Sequence, residues 1–159
     1  MKIQVRKGCF ETNSSSTHSF SIGNTYNDLT VSEDGYIHTN LGEFGWEIQD
    51  YPQSSVKLAY MLLVIAYLYK CDFFWNSANF NSNYEKLKET EEYQEIENLI
   101  KERLNCDGII IDSESEGYID HQSIEDYRTF KEWLDSTGAE SIEDFIFGNI
   151  ILHTDNDNY

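Results

Sequence analysis

The sequence predicts an α+β fold in which an antiparallel sheet packs against a buried helix, with further amphipathic helices around it. Three features lead there. The first third holds short runs that alternate apolar and polar residues, such as Ile3 and Val5 and then Phe20 and Ile22, the period of a half-buried strand. Leu58 to Tyr69 is an unbroken apolar run of 12 residues, too short to span a membrane and suited to a helix buried on all sides. The second half repeats apolar residues at helical spacing.

In chain order, residues 2–6 form a strand that Gly8 interrupts. The polar run from Thr12 to His18 reads as a loop, and Phe20 and Ile22 resume the strand pattern. Leu29 to Ser32 and Tyr36 to Thr39 flank Glu33-Asp34-Gly35, a turn signal, so these two segments form a hairpin within an antiparallel meander. Ser54 or Ser55 caps a helix to Tyr69. Asn76 to Asn83 is a loop. Tyr84 to Leu104 is one amphipathic helix, with Glu85, Glu89 and Glu92 on a single face. Ile109 to Ile111 is a short buried strand, with Tyr118-Ile119 beside it. Ser123 caps a helix to about Ser136, Ser141 caps a shorter one to Phe147, and Ile150 to His153 is the last strand. Residues 1–153 therefore make a single domain, and 154–159 a polar tail.

The 159 residues carry 29 Asp and Glu against 11 Lys and Arg, a net charge of −18, with 14% aromatic residues. The aromatics exclude a disordered acidic chain. The charge disfavours direct nucleic-acid binding and favours a basic partner. It is also lopsided: residues 1–84 sum to −3 and residues 85–159 to −15. Cys9, Cys71 and Cys106 are odd in number and far apart, against both a disulfide scaffold and a zinc ribbon. With no signal-like apolar run at its start, the chain is expected in the cytoplasm.

Signals for catalysis are sparse. Ser14, Ser15 or Ser16 with His18, oriented by Asp120 or Asp112, has the residue types of a nucleophile and its base. A serine-rich loop more commonly makes turns. Asp112, Glu114 and Glu116 before Gly117 partly follow a calcium loop, but position 12 is Ser123 where a glutamate is required. Asp120-His121 is an acid beside an imidazole, and neighbours in sequence point apart on a strand. No catalytic set, cofactor or metal is expected. Tyr26, Trp46, Phe73, Phe74 and Trp75 suit either core or interface, and core is the default for most.

The opening Phe10-Glu-Thr-Asn-Ser-Ser-Ser-Thr-His18-Ser resembles the F-E-T-N-S-S-S-[ST]-H-S signature of a protein family encoded by bacteriophages and mobile elements. Ile119-Asp-His-Gln-Ser123 resembles a second, weaker motif of that family. Length, acidity and opening together resemble the staphylococcal anti-CRISPR inhibitors of type II-A RNA-guided Cas nucleases. This resemblance implies a non-enzymatic inhibitor acting in the bacterial host cell. Its partner would be such a nuclease, engaged at the HNH domain so that the step licensing cleavage fails. Acidic mimicry of DNA at the PAM-reading surface is the close alternative. A small phage enzyme using the Ser/His loop and an acidic phage accessory protein are the others. The contact residues expected from the charge pattern are Glu85, Glu89, Glu92, Glu114, Glu116, Glu125 and Asp126, with Tyr118 as an aromatic anchor.

Overall fold

The fold is built around helix α1 (Ser54–Leu68), whose residues from Lys57 to Ala66 are all buried. The computed structural model describes residues 4–6, 16–45, 48–73, 79–112, 116–119 and 121–156; for 4–6, 16–17, 121–122 and 155–156 it describes the backbone alone. The apolar run thus becomes the central helix that its composition implies. Its cap differs from the expectation. Gln53 is the N-cap and makes no side-chain cap bond. Instead Asp28, 27 residues earlier, accepts from Ser55 N–H at 2.8 Å and from Ser55 Oγ at 2.6 Å.

Strands β1 (Gln4–Arg6), β2 (Ser16–Ile22), β5 (Gln49–Tyr51) and β8 (Ile150–Asn156) form an antiparallel sheet in the order β1-β2-β8-β5. Antiparallel pairing is as expected; the meander is not, because the last strand lies between β2 and β5. Its ladder with β2 runs from Ser16↔Asn156 to Ile22↔Ile150. Two polar segments, Ser16 to His18 and Thr154 to Asn156, become strand by pairing with each other, where the sequence suggested a loop and a tail. Pairing overrides weak strand propensity here.

Strand β3 (Tyr36–Thr39) pairs in parallel with β6 (Gly108–Ile111), and β4 (Gly42–Phe44) pairs in parallel with β7 (Gly117–Ile119). The expected hairpin is therefore absent, and β7 does not lie beside β6. The turn itself forms, with Gly35 N–H donating to Ser32 O and Ser32 N–H to Tyr36 O, both at 2.9 Å. Residues 29–32 form no strand. The preceding segment crosses to the start of α1, where Tyr26 bridges to Pro52 and Ser54.

The helix expected over 84–104 is two helices. Helix α2 (Phe80–Lys88) begins inside the expected Asn-rich loop, and α3 (Glu91–Leu104) follows a break at Thr90. Thr90 is extended, its Oγ1 accepts from Tyr93 N–H at 3.2 Å, and it donates to Leu87 O at 2.7 Å. The helix expected over 123–136 also divides, into α4 (His121–Ile124) and α5 (Phe130–Ser136), with Thr129 capping α5 through Glu132 N–H at 3.1 Å. Helix α6 (Ile142–Phe147) is capped by Ser141 as expected.

Helix α1 touches α3, α5, α6, β4 and β7. Around Tyr60 the core is aromatic: Phe44 and Tyr60 meet edge to face at 5.1 Å between ring centroids, and Trp133 and Phe145 do the same at 5.1 Å. Such pairs add about 0.5–1.5 kcal/mol each beyond their buried area. Phe73 is buried as expected, whereas Tyr26 is exposed; Trp46, Phe74 and Trp75 lie outside the described residues. The fold is mixed α+β. No helix among the described residues is long and apolar enough to cross a membrane.

Candidate docking face

A groove of about 600 Å3 opens where the end of α1 meets β7 and the turn after α4. Leu63 and Ala66 of α1, Phe73 and Ile119 supply its apolar walls, and Tyr67, Tyr118 and Tyr127 line it as well. Its size falls in the range of small-ligand clefts and interface sockets. Gly117 is what seats β7 here. A Cβ at that position would lie 2.7 Å from Leu63 Cδ2 and 2.8 Å from Leu41.

One expected contact residue lines this groove, and three others adjoin its lining residues in the chain. Tyr118 lines it and is half-buried, while Glu116 precedes Gly117 and is exposed. Glu125 and Asp126, both exposed, directly precede the lining residues Tyr127 and Arg128. Burial raises the Tyr67 hydroxyl pKa, and the nearby Glu125 charge adds to the shift. At the end of α1, Tyr69 donates to both Glu92 carboxylate oxygens at 2.8 and 3.0 Å, and that bond raises its pKa. Of these acids, Glu125 is near enough to act on the lining Tyr67, Glu116 and Asp126 adjoin lining residues in the chain, and Glu92 holds Tyr69, which does not line the groove.

The expected Glu85/Glu89/Glu92 face is not a continuous helical stripe. Glu85 belongs to α2 and lies 2.7 Å from Lys88, Glu89 is the exposed C-cap of α2, and Glu92 opens α3. The break at Thr90 is the reason. Its signal was present in the sequence: lysines at 86 and 88 close one helix, and Thr90 with two glutamates opens the next. Glu114 lies outside the described residues.

The Ser/His loop has a different fate. Ser14, Ser15 and Asp120 lie outside the described residues, and Ser16 is in β2. His18 is buried against the core, its Nδ1 2.5 Å from Tyr60 Oη. Asp112, the other candidate orienter, holds His38 instead: His38 Nδ1 is 3.0 Å from Asp112 Oδ1 and Nε2 is 2.6 Å from Asp34 Oδ2. These two bonds, the Asp112 one first, raise the His38 pKa.

Sequence reading missed a second serine–histidine arrangement. Ser21 Oγ lies 2.5 Å from His153 Nε2, and His153 Nδ1 lies 2.5 Å from Asp50 Oδ1. The three residues sit on the adjacent strands β2, β8 and β5, brought together by a register that pairs His153 with both Ser19 and Asp50. The connectivity is that of a nucleophile, base and orienter. Its exposure runs the other way from an accessible nucleophile: Ser21 is 2% exposed, while the Asp50 side chain is 72% exposed. Separations of 132 and 103 residues left no spacing signal to find it by.

Among the described residues no group of three or more His, Cys, Asp or Glu is placed to hold a metal ion. Comparisons with protein families, with curated proteins and with solved structures find no match.

Proposed function

We propose that this chain is a protein inhibitor of a type II-A RNA-guided Cas nuclease, acting in the cytoplasm of the bacterial host. In this reading the acid-bordered groove docks on the HNH nuclease domain and holds it from its cleavage position. The observation that carries the reading is an apolar groove whose lining residues Gly117 and Tyr127 are preceded in the chain by the exposed acids Glu116 and by Glu125 and Asp126, all three from the half of the chain that sums to −15. An apolar centre with a charged rim is the anatomy of a protein interface, and the sign of the rim selects a basic partner. The phage-like opening supports the choice of a bacterial defence nuclease as that partner.

A guide-loaded type II-A Cas nuclease titrated with the protein tests this, with DNA cleavage and DNA gel shift read on the same samples. Loss of cleavage with DNA still bound is the expected result. Loss of both points to DNA mimicry at the PAM-reading surface. Full cleavage at excess protein across several such nucleases refutes the reading. The triple charge reversal Glu116→Lys, Glu125→Lys, Asp126→Lys is expected to weaken inhibition and flatten its salt dependence, whereas Glu85→Lys with Glu89→Lys changes it less.

A further inference from the structure

Basic side chains are scarce in this chain, and among the described residues their surroundings divide them into three groups. Lys88, Lys101, Arg103 and Lys131 each lie within 4 Å of a carboxylate, on Glu85, Glu97, Glu143 and Asp135. Lys57 is buried on backbone carbonyls. Among the described residues the remaining three, Lys70, Lys86 and Arg128, form no ion pair. Lys70 and Arg128 both line the groove, and Lys86 is near enough to the groove-lining Cys71 to oppose the upward shift that burial gives its thiol. Among the described residues, two of the three cations that form no ion pair line one groove, and Asp72 is the one acid that lines it with them.

Local structure does not account for both of the lining cations. Lys70 follows the end of α1, where a cation suits the helix dipole. Yet it holds φ at 59°, a conformation that helix ends ordinarily give to glycine or asparagine. Arg128 immediately precedes Thr129, the N-cap of α5, the end at which a helix dipole disfavours a cation. Its guanidinium presents a planar fork suited to a carboxylate.

We infer that the partner segment filling the groove carries a carboxylate beside an apolar side chain, and that Lys70 and Arg128 bind that carboxylate while Leu63, Phe73 and Ile119 take the apolar group. This rests on the docking reading above and refines it: the outer rim meets basic surface, and the inner socket reads one acidic residue within it. Two exposed cations on a lining whose one acid is Asp72 make this a specificity device, because a partner offering only basic residues leaves both of them facing like charge.

Charge reversal of the two cations separates this inference from simple attraction, because the two predict opposite signs. Lys70→Glu with Arg128→Glu makes the protein more acidic. If the acidic surface alone drove binding, this variant would bind a basic partner as well or more tightly. Under the inference it binds about 10-fold or more weakly through faster dissociation, since an interfacial charge pair becomes a repulsion. Surface plasmon resonance against an immobilised guide-loaded type II-A Cas nuclease reads both rate constants. Lys131→Glu, on a cation already paired with Asp135, is the matched control and changes dissociation little. Circular dichroism checks the fold, and the milder Lys70→Gln and Arg128→Gln variants each lose part of the affinity if the double reversal misfolds. Equal or tighter binding by the folded variants overturns the inference and leaves the docking reading standing. No binding by the wild-type protein overturns the docking reading, and the inference with it.

Discussion

Lys57 offers the sharpest test of the packing around α1. Its side chain is 0% exposed, and its ammonium donates to Ile150 O at 2.9 Å and to Gly148 O at 3.3 Å. No carboxylate lies within ion-pair distance among the described residues. Burial lowers its pKa from the ordinary 10.5 to about 8, with Asp144 and Asp28 opposing that shift. Below pH 8 the amine is protonated in both folded and unfolded chains, and the fold bears the full cost of burying the charge. Between about 8 and 10.5 the unfolded chain holds more protons, so stability rises with pH across this window and levels off above it. At about 1.4 kcal/mol per pH unit the whole gain is about 3 kcal/mol.

Lys57→Met keeps most of the volume and removes the titration. Gly148 O retains the Thr25 hydroxyl at 2.7 Å, so the substitution does not leave that carbonyl bare. Urea unfolding of both proteins from pH 7 to 9.5 gives the comparison. The wild type is expected to gain about 2 kcal/mol on the variant by pH 9.5. Tyrosine and cysteine ionisations, including that of Cys71, are common to both chains and cancel in the difference. Parallel stability curves would refute the argument. They would mean that Lys57 keeps an ordinary pKa, either because water reaches it or because α1 does not sit on the turn between α6 and β8.

Three further outcomes follow from the geometry. Thr90→Ala removes the cap that separates α2 from α3 and should cost about 1–2 kcal/mol in thermal or urea unfolding, while Thr90→Ser restores most of it; an unchanged melt would return 84–104 to a single helix. Asp112→Asn should lower the His38 pKa, read from the imidazole proton shifts by NMR. The stabilisation His38 draws from Asp112 and Asp34 is present below its ordinary 6.5 and fades as pH rises through its folded value; an unmoved titration would break that contact. Gly117→Ala forces a methyl group against Leu63 and Leu41 and should destabilise by about 1–3 kcal/mol; a neutral effect would mean that β7 does not rest on α1.

What the sequence made legible is what local chemistry decides. The apolar run after Val56 had one plausible destination, and α1 occupies it. Ser141 before an apolar pattern marked α6, and Ile109 to Ile111 marked β6. Pairing was not legible, because Ile150 to His153 carries the same alternation wherever it docks, and nothing local says that it enters between β2 and β5. The two lost helix boundaries have a different cause. Leu87, Tyr93, Ile96 and Ile100 keep helical spacing across Thr90, and Ile124, Tyr127, Phe130 and Trp133 keep it across Thr129. In both places the apolar rhythm outweighed a threonine cap that the sequence displays openly, Thr129 with Glu132 three residues later being a capping pair.

The same distinction explains why the charged residues were half legible as a site. Most acids on α2, α3, α5 and α6 face water because the apolar faces of those helices are used by the core, so their exposure follows from composition alone. Their convergence does not. Glu116 adjoins the groove lining because β7 pairs with β4 and packs on α1, and Glu125 and Asp126 adjoin it because α4 ends at Ile124, just before the lining residues Tyr127 and Arg128. On the docking reading these two levels carry different work. Screened rim charges act at a distance of about 8–10 Å in physiological salt and set the rate of encounter, a property that the net charge of the C-terminal half already implies. How long a complex lasts depends on the socket lined by Tyr118, Phe73, Lys70 and Arg128, which exists only once the tertiary fold has brought three separate segments of the chain together.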